Sequence, residues 1–299
     1  MEINGVFIDD TYAEAFPAWI SLVAITAANR YLAHEAAEEA TGFASSVIGS
    51  GAEAGIDYNI SPENSPDGRP GVMILLAHPN KKQLKDQIVE RLAECVLTAP
   101  TTAVFSGLPD APEKLPIKLH YFGDGWEYQK KVRDRNVWAI PIMGGEFIIE
   151  EEIGVVRGIA GGNFMIMGTE QMTALTAAQA AAEVVSDVEG AATSFPIGVI
   201  AAGSKIGSKK YKFMKASTND AFCPTLKGKN PNSLVPEGVK AIFEIVIDGI
   251  SEDAVRRAMA GGIRAACNMP GIIRITAGNY GGTLGPYKFG LHEILSTIN

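Results

Sequence analysis

What this sequence lacks narrows its class before any motif is read. It has three cysteines in 299 residues, Cys95, Cys223 and Cys267, far apart, with no Cys-x-x-Cys pair and no histidine nearby. That excludes a disulfide framework and a zinc knuckle and points to free thiols in a reducing cytoplasm. The four histidines, His34, His78, His120 and His292, show no ligand spacing, so no metal site is expected. Basic residues are in deficit: 26 Lys and Arg against 34 Asp and Glu leave a net charge of −8. Such a field repels phosphate backbones and argues against a nucleic-acid partner. Long apolar runs are missing too, and residues 1–7 contain no basic segment, so neither a membrane span nor a signal peptide is expected. The motifs GxxxxGK[ST], GxGxxG after a strand, HExxH and GxSxG are all absent. What is there is a cytoplasmic globular composition, 46% hydrophobic and 20% charged, in a chain long enough for two domains.

Hydrophobic periodicity organises the chain into strand–helix–strand units. Residues 241–247 read as an apolar strand. Ser251 reads as an N-cap with Glu252 and Asp253 in the first helical turn, and Pro270-Gly271 turns the chain into a second strand, 272–276. The same plan recurs as a strand at 72–77, a stripe of Leu84, Ile88, Leu92 and Val96, and a strand at 101–105. Two further units are expected at 22–28, 30–42 and 45–48, and at 163–168, 169–187 and 197–202. Stretches 117–125 and 137–149, around the charged turn 130–135, read as a hairpin extension. Two βαβ units per half, with helices on one face of an antiparallel sheet, predict an α+β protein of two ferredoxin-like (split βαβ) lobes, 1–154 and 155–299.

Glu244 is the most unusual residue, a carboxylate inside Ala-Ile-Phe-Glu-Ile-Val-Ile with Ile242 and Val246 on its own face. Apolar neighbours raise a carboxyl pKa, as a general acid or base near neutrality requires. The alternative is a solvated face or an inward charge guarding an edge strand. Gly158-Ile-Ala-Gly-Gly-Asn163 and Ala277-Gly-Asn-Tyr-Gly-Gly282 read as glycine-rich turns ending strands, either anion-binding nests helped by Asn163 and Asn279 or plain tight turns. Five lysines, Lys205, Lys209, Lys210, Lys212 and Lys215, interleave with Tyr211 and Phe213 ahead of Asn219 and Asp220. They read as a seat for an anionic substrate or as a solvated face. Residues 51–57 and 65–71 read as loops that bring Glu53, Asp57, Asp67 and Arg69 together; Arg69 offers a carboxylate fork or a local turn pair with Asp67.

Taken together these segments resemble the formylmethanofuran:tetrahydromethanopterin formyltransferase family from end to end. The likeness runs through Met-Glu-Ile-Asn-Gly, Asp10-Thr-Tyr-Ala-Glu-Ala-Phe16, Glu39-Ala-Thr-Gly-Phe43, Ala52-Glu-Ala-Gly-Ile-Asp57 and Pro66-Asp-Gly-Arg-Pro-Gly71. It continues through Phe122-Gly-Asp-Gly125, Ile159-Ala-Gly-Gly-Asn-Phe164, Ala216-Ser-Thr-Asn-Asp220 and Ala277-Gly-Asn-Tyr-Gly-Gly282. The resemblance implies two ferredoxin-like lobes, a homodimer or homotetramer, and a cytoplasmic enzyme of methanogenesis or its oxidative reverse. It implies transfer of a formyl group between methanofuran and N5 of tetrahydromethanopterin, carrier substrates used without a prosthetic group. Glu244 matches the glutamate this family is thought to use for proton transfer. Lys205, Lys209, Lys210 and Arg69 are candidates for the carriers' anionic tails, and Asp57, Asn219, Asp220 and Asn279 are further pocket candidates. A binding subunit of a formyltransferase/hydrolase complex and a non-catalytic sensor are the alternatives. Where the family pattern has Cys-Pro this chain has Gly49-Ser-Gly51, which removes a thiol nucleophile there and favours a ternary complex. Where Phe-Pro-Gly-Gly is usual it has Phe195-Pro-Ile-Gly198.

Overall fold

The computed structural model describes residues 1–46 and 49–298. Contacts divide the chain into a mid-chain unit, Ala18–Ala44 with Gly51–Gly158, and a terminal unit, Met1–Pro17 with Ser45–Ser50 and Ile159–Asn299. This division differs from a single cut near Gly154, because the first 17 residues join the C-terminal half. Val6–Ile8 pairs in parallel with Ile272–Thr276, and residues 12–15 pair with Tyr287–Gly290.

In the mid-chain unit the neighbouring strands are Glu53–Ile60, Gly71–His78, residues 19–26 of Tyr12–Thr26, and Ala103–Ser106, each antiparallel to the next. Helix α1 (Arg30–Thr41) begins at Asn29, whose side chain accepts the Leu32 N–H, and buries only alanines: Ala33, Ala36, Ala37 and Ala40. Helix α2 (Lys81–Arg91) is capped by Asn80 and buries Leu84 and Ile88. Both helices pack with Val23, Ile25, Val72, Ile74, Leu76 and Val104 in one core. The extension is a hairpin of Tyr128–Val132 and Arg135–Ile142, after which Gly145–Ile149 returns parallel to Ala103–Ser106.

The terminal unit repeats that order. Ala191–Thr193, Ala241–Gly249, residues 159–168 of Glu152–Gly168, and Ile272–Thr276 are successive antiparallel neighbours. Helices α3 (Gln171–Ser186) and α4 (Glu252–Cys267) cover one face, and α5 (Leu291–Thr297) follows the last strand. As expected, Ser251 caps α4 by accepting the Ala254 N–H at 3.1 Å, an arrangement worth about 1 kcal/mol. Small residues let α4 lie close to the sheet; a Cβ on Gly262 would come within 2.8 Å of the Phe164 ring.

Several expected elements form elsewhere. The strand expected at 45–48 is not formed at Ser45 and Ser46, while Val47 and Ile48 lie outside the described residues. The strand pairing there is Glu53–Ile60, so residues 51–57, expected as a loop, are largely sheet. The strand expected at 197–202 is replaced by Ala191–Thr193, leaving one bridge between Ile200 and Glu244. Residues 119–123 form a 3₁₀ turn instead of a hairpin strand. Each unit is mixed rather than purely antiparallel, since Gly145–Ile149 runs parallel to Ala103–Ser106 in one and Val6–Ile8 runs parallel to Ile272–Thr276 in the other.

Candidate active site

The site grows from the Glu244 strand. Phe243, Ile245 and Ile247 point to the helix-covered core, so alternation puts Glu244 on the opposite face, beside Ile242 and Val246 and across from Met165. Backbone bonds to Ile200 in both directions, 2.9 and 3.0 Å, clamp the strand at this residue. Gly203 then passes so close that a Cβ on it would lie 3.2 Å from Glu244 Oε2. Among the described residues no hydrogen bond or ion pair engages the carboxylate. Burial pushes its pKa up from the ordinary 4.5 to about 7. Such a group exchanges its proton at neutral pH.

On the same face lies the loop that follows Ile272–Thr276. Asn163, two residues from Met165, accepts the Gly278 N–H at 2.6 Å and donates to the Gly161 and Gly278 carbonyls at 3.0 and 3.3 Å. Its amide is thereby fixed as a spacer between strand and loop. Asn279 donates to Thr11 Oγ1 at 2.8 Å. Consecutive left-handed glycines, Gly281 and Gly282 (φ +72° and +73°), turn the backbone amides inward as a nest. The anion in that nest belongs to the chain. Glu14, 1% exposed, accepts N–H bonds from Tyr280 (2.9 Å), Gly282 (3.0 Å), Gly285 (2.8 Å) and Leu284. Burial raises its pKa, and the four N–H bonds together more than reverse that, leaving it below the ordinary value. The Tyr280 hydroxyl is pushed up by burial and then by the charges of Glu244 and Glu14.

Other predicted site residues fall into two groups. Lys205 and Asp220 form an ion pair, Lys209 Nζ stands 3.6 Å from Asp220 Oδ2, and the Asn219 N–H donates to the Gly203 carbonyl at 3.0 Å. This hairpin, Ser204–Ile206 with Ala216–Thr218, therefore abuts the Glu244 carboxylate through Gly203. Lys210 is exposed, 5.2 Å from the Tyr211 ring centre. Asp57 and Arg69 lie in the mid-chain unit. Asp57 is fully buried at a bulge of Glu53–Ile60. Arg69 takes the turn-pair alternative: Nε donates to Asp67 at 2.8 Å, and the two Nη groups reach the Thr101 carbonyl and Thr26 Oγ1 at 2.5 and 3.0 Å. The turn expected at 158–163 is instead a bulge, marked by Gly161 at φ +93°, inside the continuous strand Glu152–Gly168.

Glu14 and Tyr280 are the residues that reading the sequence for function passed over. The available signal was a carboxylate alternating into Tyr-Ala-Glu-Ala-Phe, the same one that exposed Glu244. The mid-chain unit also holds a cavity of about 710 Å³, lined by Lys114, Lys130, Arg135, Trp138, Glu150 and Glu151 among others. No helix among the described residues is long and apolar enough to cross a membrane.

Fold and site together define an α/β protein in which a carboxyl group with a raised pKa and an internally anchored glycine loop share one sheet face. The family profile described as formylmethanofuran-tetrahydromethanopterin formyltransferase matches residues 1–142, and the profile of its proximal lobe matches 145–294. The chain belongs to this family. It is 55% identical to the formylmethanofuran–tetrahydromethanopterin formyltransferase of Methanothermobacter thermautotrophicus, over 98% of this chain and all of that one. It is 52% identical to the protein of the same name from Archaeoglobus fulgidus, over 98% of this chain and all of that one. The solved Methanosarcina barkeri formyltransferase superposes with a TM-score of 0.96 at 53% identity, covering 98% of this chain and all of the other. A chain of the formyltransferase/hydrolase complex of Methylorubrum extorquens, solved with methylofuran, superposes at 0.93 with 40% identity over 99% of this chain and 98% of the other. A role mainly as a holding subunit is not favoured by the names of these relatives.

Proposed function

We propose that this chain moves a formyl group between formylmethanofuran and N5 of tetrahydromethanopterin within a ternary complex, with Glu244 carrying the proton. The observation behind it is a carboxyl group on the sheet face opposite the helices, closely approached by Gly203, with no partner of its own among the described residues and its pKa pushed up by burial to about 7. N5 attacks the formamide carbon, and its proton passes to the Glu244 carboxylate. As the C–N bond to methanofuran breaks, Glu244 returns that proton to the leaving amine. The two carriers and one carboxyl group balance the step. Lys205, Lys209 and Lys210 are read as the seat for the carriers' anionic tails, near Asn219 and Asp220, with Asn279 on the facing loop. Asp57 and Arg69 are retained as binding candidates of the other unit.

The strand order shared by the two units supports reading the chain as two ferredoxin-like lobes, proposed as 1–154 and 155–299. The family resemblance is the basis for proposing a cytoplasmic homodimer or homotetramer. Mixing the purified protein with formylmethanofuran and tetrahydromethanopterin, and following N5-formyl pterin by absorbance, tests the reaction. Rapid transfer is expected. Pterin binding without transfer would return the chain to the sensor or holding-subunit readings.

A further inference from the structure

The four N–H bonds to Glu14 fill the nest with an anion of the chain's own, at a position only 1% exposed. The loop is held by the backbone of the same residue as well, since the Glu14 N–H donates to the Gly278 carbonyl at 3.2 Å. Gly285 packs so tightly that a Cβ on it would lie 2.0 Å from the Ala15 carbonyl oxygen. Residues 278–285 are thus fastened to one carboxylate, and they stand on the Glu244 face: Gly278 bonds to Asn163, and a Cβ on it would lie 3.4 Å from Met165 Cε, the cross-strand neighbour of Glu244. A carboxylate is the one side chain able to accept all four bonds; a glutamine would turn an NH₂ group against two of the donors.

We infer that Glu14 is a positioning residue for formyl transfer, acting through the loop 278–285 to hold Tyr280 on the face that carries Glu244. This rests on the reading of Glu244 as the proton carrier. The Glu14 carboxylate accepts its bonds from the loop, while its backbone pairs with Lys288 in the neighbouring strand, so the effect on turnover is assigned to the carboxylate and the loop it holds.

The test is a double-mutant cycle in the full-length protein, with kcat and KM measured for both carriers in Glu14→Gln, Tyr280→Phe and the double variant. Each single change is expected to lower kcat at least tenfold with KM altered less than threefold. The double variant is expected to be no slower than the slower single one, because both remove the same placement. Multiplying effects, or an unchanged kcat in folded Glu14→Gln, would overturn the inference. If Glu14→Gln does not fold, Gly282→Ala strains the same loop at φ +73° while leaving Glu14 in place, and it takes the place of Glu14→Gln in the cycle with the same expected and overturning results. An unchanged rate in Glu244→Gln would remove Glu244 from the mechanism, whereas the coupling of residues 14 and 280 is decided by the cycle alone.

Discussion

Glu150 and Glu244 are strand-associated carboxylates, one in each unit, and the protein treats them in opposite ways. In the mid-chain unit Glu150 is gripped on every side. Arg135 reaches its two oxygens through Nε and Nη2 at 2.5 and 2.7 Å, and the Ser106 N–H adds a bond of 2.6 Å. The pairing pushes the Arg135 guanidinium up despite burial. In the terminal unit Glu244 has no such partner among the described residues, and burial pushes its pKa up to about 7. A paired carboxylate is spent on structure. An unpaired one leaves its chemistry available, and destabilises the fold whenever it is ionised.

The comparison breaks first on activity. Glu244→Gln is expected to fold and to lose roughly 10²- to 10⁴-fold in transfer rate, the range of a general acid–base group, as read in the absorbance assay. Glu150→Ala should do the reverse. It leaves Arg135 without its partner and is expected to cost about 3 kcal/mol in urea unfolding, with the rate of the surviving folded protein near normal. A Glu150→Ala protein as stable as its parent would remove the contrast.

Stability against pH sharpens it further. Below about 4.5 the Glu244 carboxyl is protonated in folded and unfolded chains alike. As pH rises from 4.5 through 7 the unfolded chain ionises first, so the parent loses stability over that window. Glu244→Gln should match the parent near pH 4 and exceed it by up to about 3 kcal/mol above pH 7. A constant difference at all pH values would contradict the raised pKa. The smallest effect concerns Ile197, a β-branched residue held at φ +53° and ψ +17° where the family pattern has glycine. Ile197→Gly should relieve backbone strain and raise stability by about 1 kcal/mol, visible as a higher Tm.

Local physics made part of this legible in the amino-acid order. α4 was readable because its cap, first-turn acids and small-residue stripe all lie within it, and Glu244 was readable because a charge interrupts an apolar alternation. Whether that face is wet or roofed is decided by Gly203, some forty residues earlier, which no window contains. Glu53–Ile60 hid behind Gly55, Asp57 and Asn59, poor strand formers overridden by pairing with Gly71–His78. The Arg69–Asp67 pair was visible as an alternative since it spans two residues. The nest itself was legible as one alternative for residues 277–282, but its anion was not, because amides and carboxylate are separated by more than 260 residues.

That separation also sets a timetable for the molecule's birth. Residues 1–17 leave the ribosome first, yet their strand partners, Ile272–Thr276 and Tyr287–Gly290, are among the last to be made. The mid-chain unit can close while synthesis continues, but the unit bearing Glu244 waits for residues 272–290. A chain not yet extended through Gly285 lacks at least one of the amides that Glu14 accepts, so the glycine loop can close only after the segment that carries it has been made.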